Sequence, residues 1–445
     1  MTFEFAAVAA ALGIAAVSQV RITGWSIDSR TAETGDLFFA LKGPNHDGHQ
    51  YVEHVLAKGA AGAVVERAFP LQDPRLLRVD DPLAGLKQLA TWARSQYKGT
   101  VVGVTGSAGK TSTKDMIATL LGSAFETGKT VGNFNNHVGV PISVLRLPAA
   151  SKAAVLELGM NHAGEIRELS TISQHSIAVV TNVGTAHIEN FDSIEGIAAA
   201  KRELVEALPA GGLAVLNADD PRVVQFPGPR RVLYGIENPS ADVRATNVRM
   251  TAEGVEFEVD GVTFASSTVG RHNVSNILAG IAVAREFGLK TASLQDPVRA
   301  IAPSKMRGER IMHHGILIWN DCYNSNPDAA KAMLDVLRDT PAKRRIAVLG
   351  EMLELGQRAE PLHREVGQYA AMSGVSVLMG VRGDARHLVD AAQDAGVLNG
   401  AAYLFFETPE EAGDYLKGIA REGDAILFKG SRGTQVEKAL QRFLA

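Results

Sequence analysis

The run Gly103-Val104-Thr105-Gly106-Ser107-Ala108-Gly109-Lys110-Thr111-Ser112 has residue types suited to holding phosphate. Glycines let backbone N–H groups curl around phosphate oxygens, and a following helix N-terminus adds partial positive charge. An apolar stretch, Thr100 to Val104, leads into the run, and a helix-like stretch, Lys114 to Leu121, follows it. Between a strand and a helix, Lys110 would reach the outer phosphates of ATP or GTP and Thr111 would offer a hydroxyl to Mg²⁺. The usual spacing places another glycine where this chain has Val104, so the loop is written Gly106-x-x-Gly109-Lys110-Thr111. The Gly-Lys-Thr ending favours phosphate binding over a plain glycine turn.

Three other residues could complete such a centre. Glu157 ends the apolar run Ala153 to Leu156, a position from which a carboxylate commonly holds Mg²⁺ beside phosphates. His187 follows the next apolar run and could ligate metal or contact phosphate, although a lone histidine is more often structural. Lys201 lies in a segment that Asp192 and Glu195 open like a capping box. It falls in the apolar stripe of Ile194, Ile197, Ala198, Leu204, Val205 and Leu208, whereas Arg202, Glu203 and Glu206 do not. A lysine facing a core must snorkel, pair or change chemically. Amide clusters at Asn133-Phe134-Asn135-Asn136 and Asn324-Ser325-Asn326 suit turns or polar substrate groups. His46 and His49 sit in a turn-like loop and make a poor metal pair.

The elements that would position these residues form an α/β chain of several domains. At 445 residues two to four domains are expected. Three blocks emerge: 1–82, 83–302 and 303–445. The first carries strand-like segments at Asp36 to Leu41 and Gly62 to Val65 and a helix from Tyr51 to Lys58. The second alternates strands and helices around the phosphate loop, which indicates a mainly parallel sheet with polar residues at strand C-terminal ends. Asp260-Gly261 turns a hairpin. The third block has five strand-like runs, from Ile316 to Phe428, and reads as a second α/β sheet.

Composition bounds the partners. A net charge of −4 gives no general attraction to nucleic acid. The single cysteine, Cys322, suits a reducing compartment. Phe5 to Val17 is apolar but preceded by Glu4 and no basic residue, and is too short to span a bilayer. The expectation is a buried N-terminal helix in a cytoplasmic protein with no membrane insertion.

Together these pieces resemble the Mur ligases, ATP-dependent amide-forming enzymes of peptidoglycan assembly. The Gly106 to Thr111 loop matches that family's phosphate loop, including the Val104 departure. Glu157, His187 and Lys201 match its metal-site glutamate, histidine and carbamylated lysine. Gly270-Arg271-His272-Asn273-Val274-Ser275-Asn276 matches its adenine-side segment. Further similar segments are Asp28-Ser29-Arg30, Lys42 to His49, Asn133 to Pro141, Asp321 to Pro327, Leu349 to Gly356 and Lys429 to Gly433.

The resemblance implies three domains: a small α/β N-terminal domain, a central P-loop ATP-binding domain with a mainly parallel sheet, and a Rossmann-like C-terminal domain. It implies ATP contacts at Gly106, Ser107, Ala108, Gly109, Lys110, Thr111, Ser112, Asn273, Asn276, Asp321 and Arg310, with Arg307 a competing choice for the arginine. Thr111, Glu157, His187 and Lys201 would hold two Mg²⁺ ions, with Lys201 carbamylated, and Lys110, Lys201 and His187 would act in catalysis. Ser29, Arg30, Asp47, His49, Asn135, Asn136, Asn324, Asn326 and Ser431 would contact substrates. The implied substrates are a UDP-muramoyl tripeptide and D-Ala-D-Ala, taken by a monomer. Folylpolyglutamate synthase-like ligases share the last two domains, but Asp28 to His49 argues against them.

Overall fold

The computed structural model describes residues 1–16, 20–251, 253–396 and 400–445. Phosphate-loop geometry starts from a seven-stranded sheet in which every pairing is parallel. Its strands run, in spatial order, Val243–Arg244, Arg230–Gly235, Leu213–Asn217, Ile177–Val180, Thr100–Thr105, Ala153–Glu157 and Thr127–Lys129. The Val, Ile, Leu and Ala side chains of Leu213–Asn217, Ile177–Val180, Thr100–Thr105 and Ala153–Glu157 are buried on both faces, as parallel sheets covered by helices require. After Thr100–Thr105 the chain crosses to one side, and then returns to add Ile177–Val180 on the other. Thr100–Thr105 therefore sits at a topological switch point, where α/β sheets bind ligands.

Register decides which residues meet there. Val104 pairs with Glu157 and Thr105 with Val180, so Gly106 emerges between Glu157 and the Thr181-Asn182 strand end. A three-stranded antiparallel sheet, Thr246–Thr251, Gly254–Val259 and Val262–Ser266, includes the expected hairpin. Its Val255, Phe257 and Phe264 share a core cluster with the helix Arg271–Glu286.

The chain's last part builds a six-stranded sheet in the order Glu309–His313, Ile316–Asp321, Asp424–Lys429, Arg344–Gly350, Val377–Val381, Ala402–Phe406. Only its first pair is antiparallel. Near the N-terminus, Gly24–Ser26, Asp36–Phe39, Gly62–Glu66 and Leu76–Val79 form a four-stranded parallel sheet. The first helix, Phe5–Ala11, is shorter than the apolar run, with Phe5, Val8 and Ala9 buried; Val17 lies outside the described residues. The N-terminal ammonium donates to the carbonyls of Leu145 and Leu147 at 3.0 and 2.7 Å, and Arg146 donates to the Trp25 carbonyl at 3.0 and 2.7 Å. These bonds tie the N-terminal sheet to the central one. Among the described residues no helix is long and apolar enough to cross a membrane.

Candidate active site

The phosphate loop is shaped by glycine at two points. Gly106 has φ 155° and a Cβ there would lie 1.8 Å from Thr181 Oγ1. Gly109 has φ 79°, and a Cβ would lie 2.8 Å from Asn276 Oδ1. Backbone angle and crowding together exclude a side chain at both. The loop is braced from neighbouring strands and from the adenine-side segment. Ala108 N–H donates to Asn182 Oδ1 at 2.8 Å, Thr181 Oγ1 donates to the Ala108 carbonyl at 2.6 Å, and Ser107 Oγ donates to the Gly184 carbonyl at 3.0 Å. Thr113 Oγ1 donates to Asn276 Oδ1 at 3.1 Å, and Asn276 Nδ2 donates to Asn273 Oδ1 at 3.2 Å. Asn273 and Asn276 thus hold the loop from below as well as bordering the cavity.

The helix Lys110–Gly122 starts at the loop's end, with Lys110 Nζ donating to the Gly106 carbonyl at 2.7 Å. Burial pushes the Lys110 ammonium below its ordinary pKa, and Glu157 opposes that fall. Thr111 Oγ1 donates to Glu157 Oε2 at 2.8 Å, and Asn135 Nδ2 donates to Glu157 Oε1 at 2.8 Å. Thr130 Oγ1 accepts from Glu157 N–H at 3.1 Å. The buried Lys114 donates to the carbonyls of Thr130 at 2.9 Å and Gly132 at 3.4 Å. A chain of contacts therefore runs from the helix Lys110–Gly122 through the Thr130–Asn136 loop to the carboxylate.

Lys110, Thr111, Asn135 and Glu157 border one cavity of about 790 Å³, which also reaches His187, Asn133, Asn136, Arg307, Asp321, Asn324 and Asn326. The C-terminal sheet supplies Asp321, whose Oδ1 accepts from Gly308 N–H at 2.8 Å, and Lys429, which pairs with Asp321 and donates to the Asn324 carbonyl at 2.9 Å. Asp328, at the start of the helix Pro327–Asp339, accepts from Thr185 N–H at 3.3 Å across the boundary with the central block. Burial pushes the Asp328 carboxyl up.

His187 has a left-handed backbone (φ 62°), and its Nδ1 lies 2.7 Å from Glu354 Oε2. The approach is oblique, so Nδ1 has no hydrogen bond of good angle. Glu354 is held below the usual carboxylate range by His187.

Lys201 is 1% exposed and its amine has no hydrogen bond or carboxylate partner among the described residues. Burial, reinforced by Lys110, pushes its pKa well below the ordinary lysine value. Its helix runs Ile194–Glu206 and is capped by Ser193, whose side chain accepts from Gly196 N–H. The expected Asp192 start is displaced by one residue. Glu203, placed outside the apolar stripe by periodicity, is buried: its oxygens accept from Gly164 N–H at 2.8 Å and Arg167 N–H at 2.9 Å. It caps the helix Glu165–Ser173, a role that only tertiary contact reveals.

Other expected site residues are placed differently. Arg310 lies on the exposed face of Glu309–His313 and does not border the cavity, because strand alternation turns it out with Met312. Arg307, in the preceding turn, borders the cavity and stacks over Tyr323 at 3.9 Å. Ser431 is buried, donating to the Ser325 carbonyl at 3.3 Å and accepting from Leu353 N–H at 3.0 Å, so its hydroxyl ties loops together. Asn136 and Asn326 border the cavity while accepting local N–H groups at loop and helix starts.

Ser29, Arg30, Asp47 and His49 lie with the N-terminal sheet, apart from the cavity lining. Arg30 is exposed and paired with Asp28 at 2.6 Å, which lowers the Asp28 pKa to about 2. His49 has both ring nitrogens engaged, Nδ1 with Asp47 at 2.7 Å and Nε2 accepting from Glu66 N–H at 3.0 Å. The residues that sequence reasoning left without a role are Asn182, Lys114, Asp328 and Glu354. Asn182 carried a local signal, a polar residue just past a strand beside the phosphate loop, and Glu354 lay in the similar segment Leu349 to Gly356 without a role of its own.

No cluster of three or more His, Cys, Asp or Glu side chains shaped for a metal occurs among the described residues. Magnesium needs no such cage, since one or two carboxylates plus substrate phosphates suffice. Glu157 beside the Thr111 hydroxyl fits that pattern.

A phosphate loop at the switch point of one parallel sheet, faced by a second, mainly parallel sheet that adds cations and carboxylates, is the architecture of an ATP-dependent ligase. The chain belongs to the Mur ligase family. Its residues 104–284 match the Mur ligase middle domain, 306–432 the glutamate ligase domain and 21–95 the family's catalytic domain. It is 34% identical to the UDP-N-acetylmuramoyl-tripeptide–D-alanyl-D-alanine ligase of Bacillus subtilis, over 95% of this chain and 93% of that one. The fold is similar to a crystal structure of MurF from Acinetobacter baumannii, with TM-score 0.90, 29% identity and coverage of 100% and 99%. It is also similar to MurF ligase from Thermotoga maritima in complex with ADP, with TM-score 0.84, 28% identity and coverage of 95% and 97%.

Proposed function

We propose that the chain joins D-alanyl-D-alanine to the C-terminal carboxylate of a UDP-N-acetylmuramoyl tripeptide, using ATP and passing through an acyl phosphate. The observation that carries this reading is the single cavity in which Lys110, Glu157 and Arg307 meet the amide-rich loops 133–136 and 324–326. A triphosphate and a carboxylate repel each other, so their approach needs fixed cations. Lys110 and the loop N–H groups take the phosphates, and Arg307 adds a charge from the C-terminal block. The carboxylate attacks the γ-phosphorus and ADP leaves. The dipeptide amine then attacks the acyl carbon, and phosphate departs with one former carboxylate oxygen. Closing the cavity around both substrates keeps water from the acyl phosphate.

Thr111 and Glu157 would hold Mg²⁺, which would supply charge neutralisation at the phosphates. His187 and a carbamylated Lys201 would hold a second ion. Lys201 suits that modification because its amine is buried and unpartnered, and burial lowers its pKa well below the ordinary lysine value, which favours the neutral form that is nucleophilic toward CO₂. Asp321 would take the ribose, and Asn273 and Asn276 would lie near the adenine. Ser29, Arg30 and Asp47 would serve the UDP end, with His49 as a support for Asp47. The enzyme would work as a cytoplasmic monomer; a nucleotide-sugar substrate and a lone buried thiol both accord with that compartment.

The test is phosphate release with ATP, Mg²⁺, the UDP-tripeptide and D-Ala-D-Ala. Turnover should require both acceptor and dipeptide. Equal turnover with a folate and glutamate, or none with the peptide substrates, overturns the reading.

A further inference from the structure

The loop after the strand Arg344–Gly350 is fixed firmly within its own block. Glu351 N–H donates to the Val381 carbonyl at 3.1 Å, Met352 N–H donates to His363 Nε2 at 2.9 Å, and Leu353 N–H donates to Ser431 Oγ at 3.0 Å. Met352 and Leu355 are buried on either side of the exposed pair Leu353-Glu354. The same loop touches the central block at three places. Glu354 Oε2 meets His187 Nδ1 at 2.7 Å, the Glu354 carbonyl accepts from Glu189 N–H at 3.3 Å, and Arg358 Nη2 donates to the Asp192 carbonyl at 2.5 Å. Both His187 (φ 62°) and Glu354 (φ 64°) have left-handed backbones. Such conformations in residues other than glycine persist where the surroundings over-determine them, and they cluster at functional sites.

A carboxylate oxygen 2.7 Å from Nδ1, even off the N–H axis, faces a lone pair unless Nδ1 carries the proton, so its charge favours the Nδ1–H tautomer and leaves Nε2 with its lone pair. Here Nε2 makes no hydrogen bond among the described residues, and His187 borders the cavity. We infer that Glu354 is a positioning residue: carried by the C-terminal block, it sets the ring of His187 in the central block. A plain boundary contact would hold the blocks together without acting on His187, and Arg358 supplies a contact of that kind on the same seam. The kinetic part of the inference rests on the ligase reading; the structural part does not.

The test uses the full chain labelled with ¹⁵N-histidine, with His187→Gln assigning the His187 signals. Glu354→Asn removes the reach yet tolerates a left-handed backbone, Glu354→Asp keeps the charge but is one methylene shorter, and Glu354→Gln keeps length and an acceptor oxygen. Without any substrate, wild type and Glu354→Gln should show His187 protonated at Nδ1, whereas the Asn and Asp variants should lose that preference. In turnover, the two short variants should lose about 10–100-fold in kcat, with KM for ATP and UDP-peptide little changed. Glu354→Gln and Arg358→Ala should stay within about threefold of wild type. Unchanged His187 signals in both short variants overturn the inference whatever the chain's reaction. So does a kcat loss in Arg358→Ala equal to theirs. Failure of the ligase reading would instead appear as no turnover in wild type, with the NMR result still deciding the role of Glu354.

Discussion

Lys201 shows how one side chain can conflict with the fold that buries it. The interior of a helix stripe offers its amine neither water nor a counter-charge. Its folded pKa is depressed, so between that lowered value and the ordinary ~10.4 the unfolded chain binds one more proton than the native one. Stability from this group therefore rises as pH climbs through that interval and is lost as pH falls through it. Lys201→Met should remove the pH slope, melt at a higher temperature than the unmodified protein and lose at least about 100-fold in turnover. Denaturation scans from neutral to alkaline pH, run beside the activity assay, check both halves. A normal rate in Lys201→Met would make Lys201 a bystander. The stripe was visible in the sequence because helical spacing is local. The absence of any partner was not, since it depends on what the fold leaves out of reach.

At the scale of elements, strand, loop and helix carry their own instructions. Gly106 and Gly109 sit where side chains would collide, and Lys110-Thr111 opens the helix, so this part was legible from residue types and order alone. The carboxylate's support was not. Glu157 is held through Asn135 and Thr130, and their loop is held by Lys114. Lys114→Met should leave the carbonyls of Thr130 and Gly132 unsatisfied, costing about 1–3 kcal/mol. It should also lower kcat by more than it raises KM for ATP, because Glu157 loses its support while the phosphate loop stays intact. Chemical denaturation and steady-state kinetics on the same preparation test this, and a stability loss with unchanged kcat would confine Lys114 to the fold. Arg310 and Arg307 illustrate the limit of local reading. They are close neighbours in the chain, and only the turn before Glu309–His313 decides which one faces the cavity.

Across the whole molecule, the three blocks divide the work by distance. The N-terminal sheet holds Arg30 at the surface and His49 locked between Asp47 and Glu66. The central sheet holds the phosphate loop, and the C-terminal block brings Arg307 and Asp321 to the same cavity and Glu354 to His187. The alternation of apolar runs made the α/β class and the two large sheets legible. The meeting of His187 with Glu354 was not legible, because no periodicity links loops so far apart in the chain. In the proposed reaction this arrangement converges on one step, in which a carboxylate oxygen of the peptide becomes an oxygen of phosphate. That step can be followed by labelling the terminal carboxylate of the UDP-tripeptide with ¹⁸O and analysing the inorganic phosphate released with ATP, Mg²⁺ and D-Ala-D-Ala. The account predicts one ¹⁸O transferred to each phosphate, with the other retained in the new amide. Phosphate free of ¹⁸O, released at the same rate, would contradict it.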